Sequence, residues 1–497
     1  MKSIFRMSVV ILMGLFMAAP ATIFAVMEPA TPESQGVSSE AILKWIDACE
    51  KTFNGGTSGN LHGFVIVRHG KVIAEGSWKP FDTLNETHML YSHSKSFTSS
   101  AIGFLVDEGK LDLDERIVDI FTNEVPLQAS ENLAQLRVRD LLTMNVGSEN
   151  DHTIYRHPQN WLNEFFKKPI THKPGTYFRY DSDATYVLAA IVEKKSGEKM
   201  MAYLKRKMFD KIGITKAWTS FSPEGIPCGG WGMNMTTREL ARFGQLYLNR
   251  GEWNGEQILS SEWVALATMR QTWSGAIGIV AGEDGSDWHQ GYGFQFWRCV
   301  VTDAYRADGA YGQYTIIFPQ QDAVVSIHAG VCDMQKELDL IWANLLPGMK
   351  KGALPENDAA QAALRDRLSS LKIQPAMSIS GQKHDLSIEV HHTFKKSSQG
   401  FAGLHLNGDG KEGWIATIET RAGKQRIPVG DGSWAKGAMR IDTENYERLG
   451  AHIGEQKTAA SGGFCADGTF HLKLYLTGTP AWLDVSIDQA GEIKGFY

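Results

Sequence analysis

Two strand pairs bracket a long helical stretch, and this arrangement constrains the fold more than any other feature of the chain. Phe64-Val-Ile-Val-Arg-His-Gly-Lys-Val-Ile-Ala74 carries the β-branched runs of two strands turned at His69-Gly70. Tyr314 to Phe318 and Ala323 to His328 form a second hairpin around Pro319 to Asp322. Between them lie helical signals: Ser92 to Glu108 stopped by Gly109, residues 183–195, and residues 238–249. The last has Thr236 and Glu239 at capping-box spacing and Gly251 as a stop. Ser38 and Ser39 can cap a further helix running to about Phe53. Strands at both ends with helices between them predict one α+β domain over residues 28–348.

The remainder of the chain reads differently. Residues 349–375 are polar and Ala-rich, as in a partly helical linker. Residues 376–497 alternate in short stretches separated by turns such as Asp409-Gly410, Asp431-Gly432 and Asp467-Gly468, which predicts a smaller all-β domain. Gly408-Asp-Gly-Lys-Glu-Gly413 matches a dinucleotide fingerprint letter for letter, but it stands between β-like stretches where that motif requires a following helix. At the other end, Lys2 and Arg6, the apolar run Met7 to Ala19 and the small residues Ala19, Ala21 and Ala25 describe a signal peptide over residues 1–25. The expected location is therefore periplasmic or extracellular, with no membrane span in the mature chain. A net charge of −6 gives no basic excess for nucleic acid. Five cysteines (Cys49, Cys228, Cys299, Cys332 and Cys465) without a Cys-x-x-Cys pair give no support for a zinc site and leave one or two disulfides open. Cys49 fits a small buried position in a helix.

The chemistry concentrates at Ser92-His93-Ser94-Lys95. A Ser-x-x-Lys step at a helix start puts both side chains on one face, one turn apart. A serine hydroxyl needs a base within reach. Lys95 serves as one when burial and the helix dipole lower its pKa. The backbone N–H of Ser92 is placed for a developing oxyanion. The tetrapeptide recurs at Ser196, Ser369, Ser380 and Ser433, but only Ser92 opens a helix with Phe97, Ala101, Phe104 and Leu105 at core-facing spacing. His93, adjacent to Ser92 in the chain, cannot face it as a base. His391-His392 lacks companions at metal spacing. Tyr292, Phe294 and Phe296 recur as on one face of a strand, and Trp231 and Trp288 are candidates for the wall of an apolar pocket.

Two further segments complete a pattern: Tyr180-Asp181-Ser182 before a helix, and Ala307-Asp308-Gly309-Ala310-Tyr311-Gly312-Gln313 before the second hairpin. With Ser92-x-x-Lys95, Pro32-Glu-Ser-Gln-Gly36, Leu141-Leu-Thr-Met144 and the run Gly229 to Gly244, the sequence resembles the serine β-lactamase and penicillin-binding-protein superfamily over residues 32–345. Its class C β-lactamase and esterase branch is the nearest in pattern. The resemblance implies the penicillin-recognising serine hydrolase fold, an antiparallel sheet flanked by helices plus a helical region, and an acyl-enzyme route: Ser92 as nucleophile, Lys95 and Tyr180 handling protons, and Ser182 orienting Lys95 and substrate. It assigns the second oxyanion donor to the Ala310 N–H, with Asp308 and Gly309 beside it in the substrate-binding strand. No metal or organic cofactor is implied.

The chain departs from that branch in having Ser182 where Asn stands, and Ala307-Asp308-Gly309 where a Lys-Thr-Gly strand stands. Loss of that lysine removes the cation that grips a substrate carboxylate. The expected substrate is a small ester, amide or peptide without such a carboxylate. The alternatives are a D-alanyl-D-alanine-type peptidase or weak β-lactamase, and a non-catalytic binding protein on the same fold. The C-terminal β domain is expected to contact a cell-wall polymer or glycan, or to shape the pocket.

Overall fold

The computed structural model describes residues 27–149, 154–275, 285–376, 387–393, 401–408, 413–420, 423–441, 454–488 and 493–496. The expected signal peptide lies outside them, as do Ser380 and Asp409-Gly410. The side chains of His391 and His392 are likewise outside the described set.

Both anticipated hairpins belong to one antiparallel six-stranded sheet. Its order is Lys71–Ser77, Gly59–Arg68, Ala323–Val331, Gln313–Phe318, Tyr305–Gly309, Trp297–Arg298. The two ends of the domain thus meet at the centre of the sheet, where Phe64 lies opposite Ile327 and Ile66 opposite Val325. Alternation along these strands divides the apolar side chains between two cores. Val65, Val67, Ile317 and Val324 face the helical region. Phe64, Ile66, Ile316 and Val325 face Trp45 and Ile46 of the helix Ser39–Thr52. Burial of both faces explains why the central strands read as continuous apolar runs.

The helices form close to their expected places, with instructive differences at their ends. The helix Thr237–Leu248 begins with the capping box anticipated from Thr236 and Glu239, but it ends at an Asn249 cap rather than at Gly251. Ser38 makes no side-chain cap. Instead the buried Glu33 carboxylate receives the Ser39 N–H at 2.7 Å and the Ser39 hydroxyl at 2.9 Å, a cap supplied from outside the helix. Ser92 lies in a 3-10 turn, Tyr91–His93, and the α-helix proper is Ser94–Asp107. Tyr292, Phe294 and Phe296 are all buried, but they share no strand. Gln295 between them has φ +67°, which breaks extended pairing.

The polar segment after residue 349 is stitched to the domain. Its helix Asp358–Ser369 buries Leu364, Arg367 pairs with Glu50, and Leu371 and Ile373 exchange backbone hydrogen bonds with Lys79. Beyond it, the C-terminal strands form one sheet curved into a half-barrel, a separate all-strand domain. Gly408 ends one strand and Gly413 begins the next, antiparallel to it, so the dinucleotide-like string precedes a strand and not a helix. This domain docks through Tyr475 Oη to Asn60 at 2.7 Å, Asp484 to the Gly56 N–H at 2.8 Å, and Gly478 O to the Met89 N–H at 2.9 Å. The last contact supports the short strand His88–Met89 that leads into Ser92. Among the described residues no helix is long and apolar enough to cross a membrane.

Candidate active site

Ser92 projects from the 3-10 turn at the head of the buried helix Ser94–Asp107. Tyr91 before it has φ +48°, a left-handed conformation costing a bulky residue about 1–3 kcal/mol, retained here where the chain turns sharply to present Ser92. Ser92 stays partly open to solvent while Lys95, one turn on, is 1% exposed. Lys95 Nζ has three oxygen neighbours: Ser92 Oγ at 3.0 Å, Ser182 Oγ at 3.0 Å and Gly230 O at 2.7 Å. A neutral amine donates two protons and offers one lone pair. It can therefore donate to Ser182 and Gly230 and receive the Ser92 proton without losing a contact.

Burial is the largest influence on this amine and lowers its pKa to about 7. The carboxylates of Asp181, Asp183 and Asp308 act in the opposite direction. Two of them are compensated by the buried Lys168, which pairs with Asp181 and lies 3.7 Å from Asp183. Desolvation and the Asp181 charge raise the Asp183 carboxyl. Asp181 also caps the helix Ser182–Ser196 by accepting the Asp183 N–H at 3.0 Å. That cap fixes Tyr180 and Ser182 on either side of it. The Tyr180 ring lies 4.8 Å from Lys95 Nζ and stacks on Trp297 at 5.5 Å. Burial raises the phenol above its ordinary value, and its contact with the Ser92 hydroxyl offsets part of that rise.

The strand Tyr305–Gly309 closes the other side. At Gly309 an added Cβ would sit 2.0 Å from the Leu90 carbonyl oxygen, so only glycine lets this strand end approach the turn bearing Ser92. Ala310 follows, and Tyr311 after it has φ +64°, so left-handed tyrosines adjoin both Ser92 and Ala310. Asp308 is 8% exposed and receives Arg306 Nε at 2.9 Å. Burial lifts its carboxyl to about 6 against the pull of Arg306.

The structure thus brings Ser92, Lys95, Tyr180 and Ser182 together and sets Asp308, Gly309 and Ala310 opposite them. Gln313 turns away from the site and ties the turn internally, donating to the carbonyls of Ala310, Tyr311 and Ala329. His93 is fully buried and stacked on Phe97; desolvation lowers it to about 3. Trp231 packs in the core against Tyr155 and Trp161. Trp288 lies 4.8 Å from the Arg306 guanidinium. All five cysteines are free, with Cys49, Cys228 and Cys299 buried.

Four participants escaped the sequence reading: Gly230, Lys168, Arg306 and Gln295. Gln295 is buried and bonds Thr185 and the carbonyls of Leu141 and Leu142, while its own carbonyl accepts the Ser96 hydroxyl. It ties three helices together beneath Lys95. The Gly229-Gly230 pair was the available signal: a Cβ at Gly230 would meet Ser182 O at 2.8 Å. Nothing in local spacing marks the other three.

The chain is 23% identical over 320 residues to the 6-aminohexanoate-dimer hydrolase of Paenarthrobacter ureafaciens, covering 60% of this chain and 79% of that protein. A crystal structure of SurE shares the fold with a TM-score of 0.50 and 15% identity, over 92% of this chain and 98% of that one. The octameric penicillin-binding protein homologue from Pyrococcus abyssi aligns with a TM-score of 0.47 and 17% identity, over 87% and 97% of the two chains. The family and the named hydrolase among its relatives indicate a serine hydrolase. Residues 47–330 match the Beta-lactamase family, and the chain belongs to it.

Proposed function

We propose that this protein is an exported serine hydrolase that cleaves ester or amide bonds through an acyl-enzyme on Ser92. The observation that carries the reading is the buried Lys95 amine, 3.0 Å from Ser92 Oγ and lowered to about 7 by desolvation. A base is most useful when its pKa lies near the working pH. Lys95 Nζ takes the Ser92 proton as Oγ attacks the carbonyl carbon. The N–H groups of Ser92 and Ala310 hold the resulting oxyanion, and the C–O or C–N bond to the leaving group breaks. Tyr180 passes a proton from Lys95 to the departing atom. Water then attacks the acyl carbon, giving its proton to the Tyr180 and Lys95 pair, and the acid leaves as Ser92 is restored. Base assistance of this kind contributes about 10²–10⁴-fold, and each oxyanion donor about 10²–10³-fold.

Asp308 in the substrate strand, and the absence of a lysine at Ala307, favour substrates lacking the carboxylate of a β-lactam. The basic, apolar and small-residue order of the first 25 residues supports export. Intact mass and peptide mapping after exposure to a fluorophosphonate test the nucleophile. A single adduct on Ser92, absent from Ser92→Ala, is expected. No adduct on folded protein would leave a binding role instead. Faster hydrolysis of a chromogenic cephalosporin than of short-chain nitrophenyl esters would overturn the substrate reading.

A further inference from the structure

We propose that Asp308 recognises a protonated amine, so that favoured substrates carry an ammonium group along the strand Tyr305–Gly309 from the scissile carbonyl. This rests on Ser92 being the nucleophile, as argued above. Asp308 lies two residues before Ala310, at the end of the strand, so the two α-carbons are at most about 7 Å apart along the chain. A ligand of a few methylenes spans that distance. Gly309, next to Asp308, stands against the Leu90 carbonyl two residues before Ser92, which brings this strand end to the turn that carries the nucleophile; the charge coupling of Asp308 to Lys95 and Tyr180 agrees with that placement.

Among the described residues, only half of the Asp308 carboxylate is engaged. Oδ2 receives Arg306 Nε at 2.9 Å, whereas Oδ1 takes no hydrogen bond from any described residue. Arg306, itself 0% exposed, is also shared. Its NH1 donates to the carbonyls of Asp287 and Arg298, and the buried Asp287 carboxylate lies in its field. The guanidinium is thus divided between one Asp308 oxygen and main-chain carbonyls, and the other Asp308 oxygen is left for a ligand. With its carboxyl at about 6, Asp308 is mostly ionised at neutral pH. A carboxylate-bearing ligand would meet the same charge as repulsion.

The test compares three nitrophenyl phosphonates of equal chain length, ending in ammonium, methyl or carboxylate, by their rates of adduct formation on Ser92. Intact mass of the full-length protein is the readout, so no turnover is required. The ammonium probe is expected to label wild type at least about 10-fold faster than the methyl probe, with the carboxylate probe slowest. In Asp308→Asn the ammonium-to-methyl ratio is expected to collapse towards one. Equal rates for the ammonium and methyl probes in wild type would overturn the proposal while leaving Ser92 as nucleophile. An unchanged ratio in folded Asp308→Asn would do the same. Wild type alone decides the matter if that variant does not fold. Failure of every probe to label Ser92 would remove the underlying reading and the proposal with it.

Discussion

Replacing Gly309 by alanine tests whether the two sides of the site are held together as the geometry requires. The new Cβ would stand 2.0 Å from the Leu90 carbonyl oxygen and 3.0 Å from Gln313 Cβ. Because real Cβ contacts do not fall below 3.0 Å, the strand end and the Leu90 turn must separate by at least about 1 Å. Leu90 is two residues before Ser92, and Ala310 follows Gly309, so this separation lies between the two proposed oxyanion donors. Neither side yields easily, because left-handed Tyr91 and Tyr311 fix the backbone next to each donor. A misplacement of about 1 Å can cost about 10²-fold in rate, similar to losing one oxyanion donor. Gly309→Ala should therefore lower kcat for a nitrophenyl ester about 10²-fold with a smaller change in KM, since the oxyanion forms only in the transition state. Overpacking should cost about 1–3 kcal/mol of stability, read as a lower Tm. A folded Gly309→Ala enzyme retaining kcat within about threefold of wild type would refute the assignment of Ala310 as a donor.

Three other outcomes follow from the site and its scaffold. Because Lys95 must be neutral to accept a proton and sits at about 7, kcat/KM should fall as pH drops through 7 and level off above it. Lys95→Met should lose this limb together with about 10²–10⁴-fold of the rate, measured as a pH–rate profile. Lys168→Met strips the cation from Asp181 and Asp183. Breaking such a buried pair costs about 3–5 kcal/mol, and the uncovered Asp181 carboxylate should move the acid limb to higher pH, while Asp183, already raised by burial, is driven further towards its neutral form. A lower Tm with an unmoved limb would limit Lys168 to a structural role. Thr236→Ala breaks the capping box of the helix Thr237–Leu248 and should cost about 1 kcal/mol by denaturant unfolding, while activity per folded molecule holds.

What could be read from the chain divides along physical lines. The hairpins at Phe64–Ala74 and Tyr314–His328 were legible because burial on both faces demands an unbroken apolar run. The capping box at Thr236 was legible because its two partners are three residues apart. Ser92 and Lys95 were visible for the same reason. Tyr180 and Asp308 became visible only through family-like surroundings, since no local period connects them to Ser92. The expected strand through Tyr292, Phe294 and Phe296 failed because alternation records burial, not backbone extension, and Gln295 buries its amide by leaving the extended region. The Ser38 cap failed because Glu33, displaced by a turn of chain, holds two groups where serine would hold one.

The deepest unreadable feature is the charge arrangement around Lys95, on which its proposed role as a base depends. Desolvation alone would lower its pKa, but three carboxylates surround it, each favouring the protonated amine. Left uncovered, they would keep Lys95 charged and Ser92 without a base. Buried cations from elsewhere offset part of this: Lys168 pairs with Asp181 and lies 3.7 Å from Asp183, and Arg306 takes one oxygen of Asp308. The carboxylates remain for other work, Asp181 as a helix cap and Asp308 with one oxygen unclaimed. Neutrality at Lys95 is therefore a property of the whole cluster. It is set by pairings between distant segments, which spacing within any single motif does not encode.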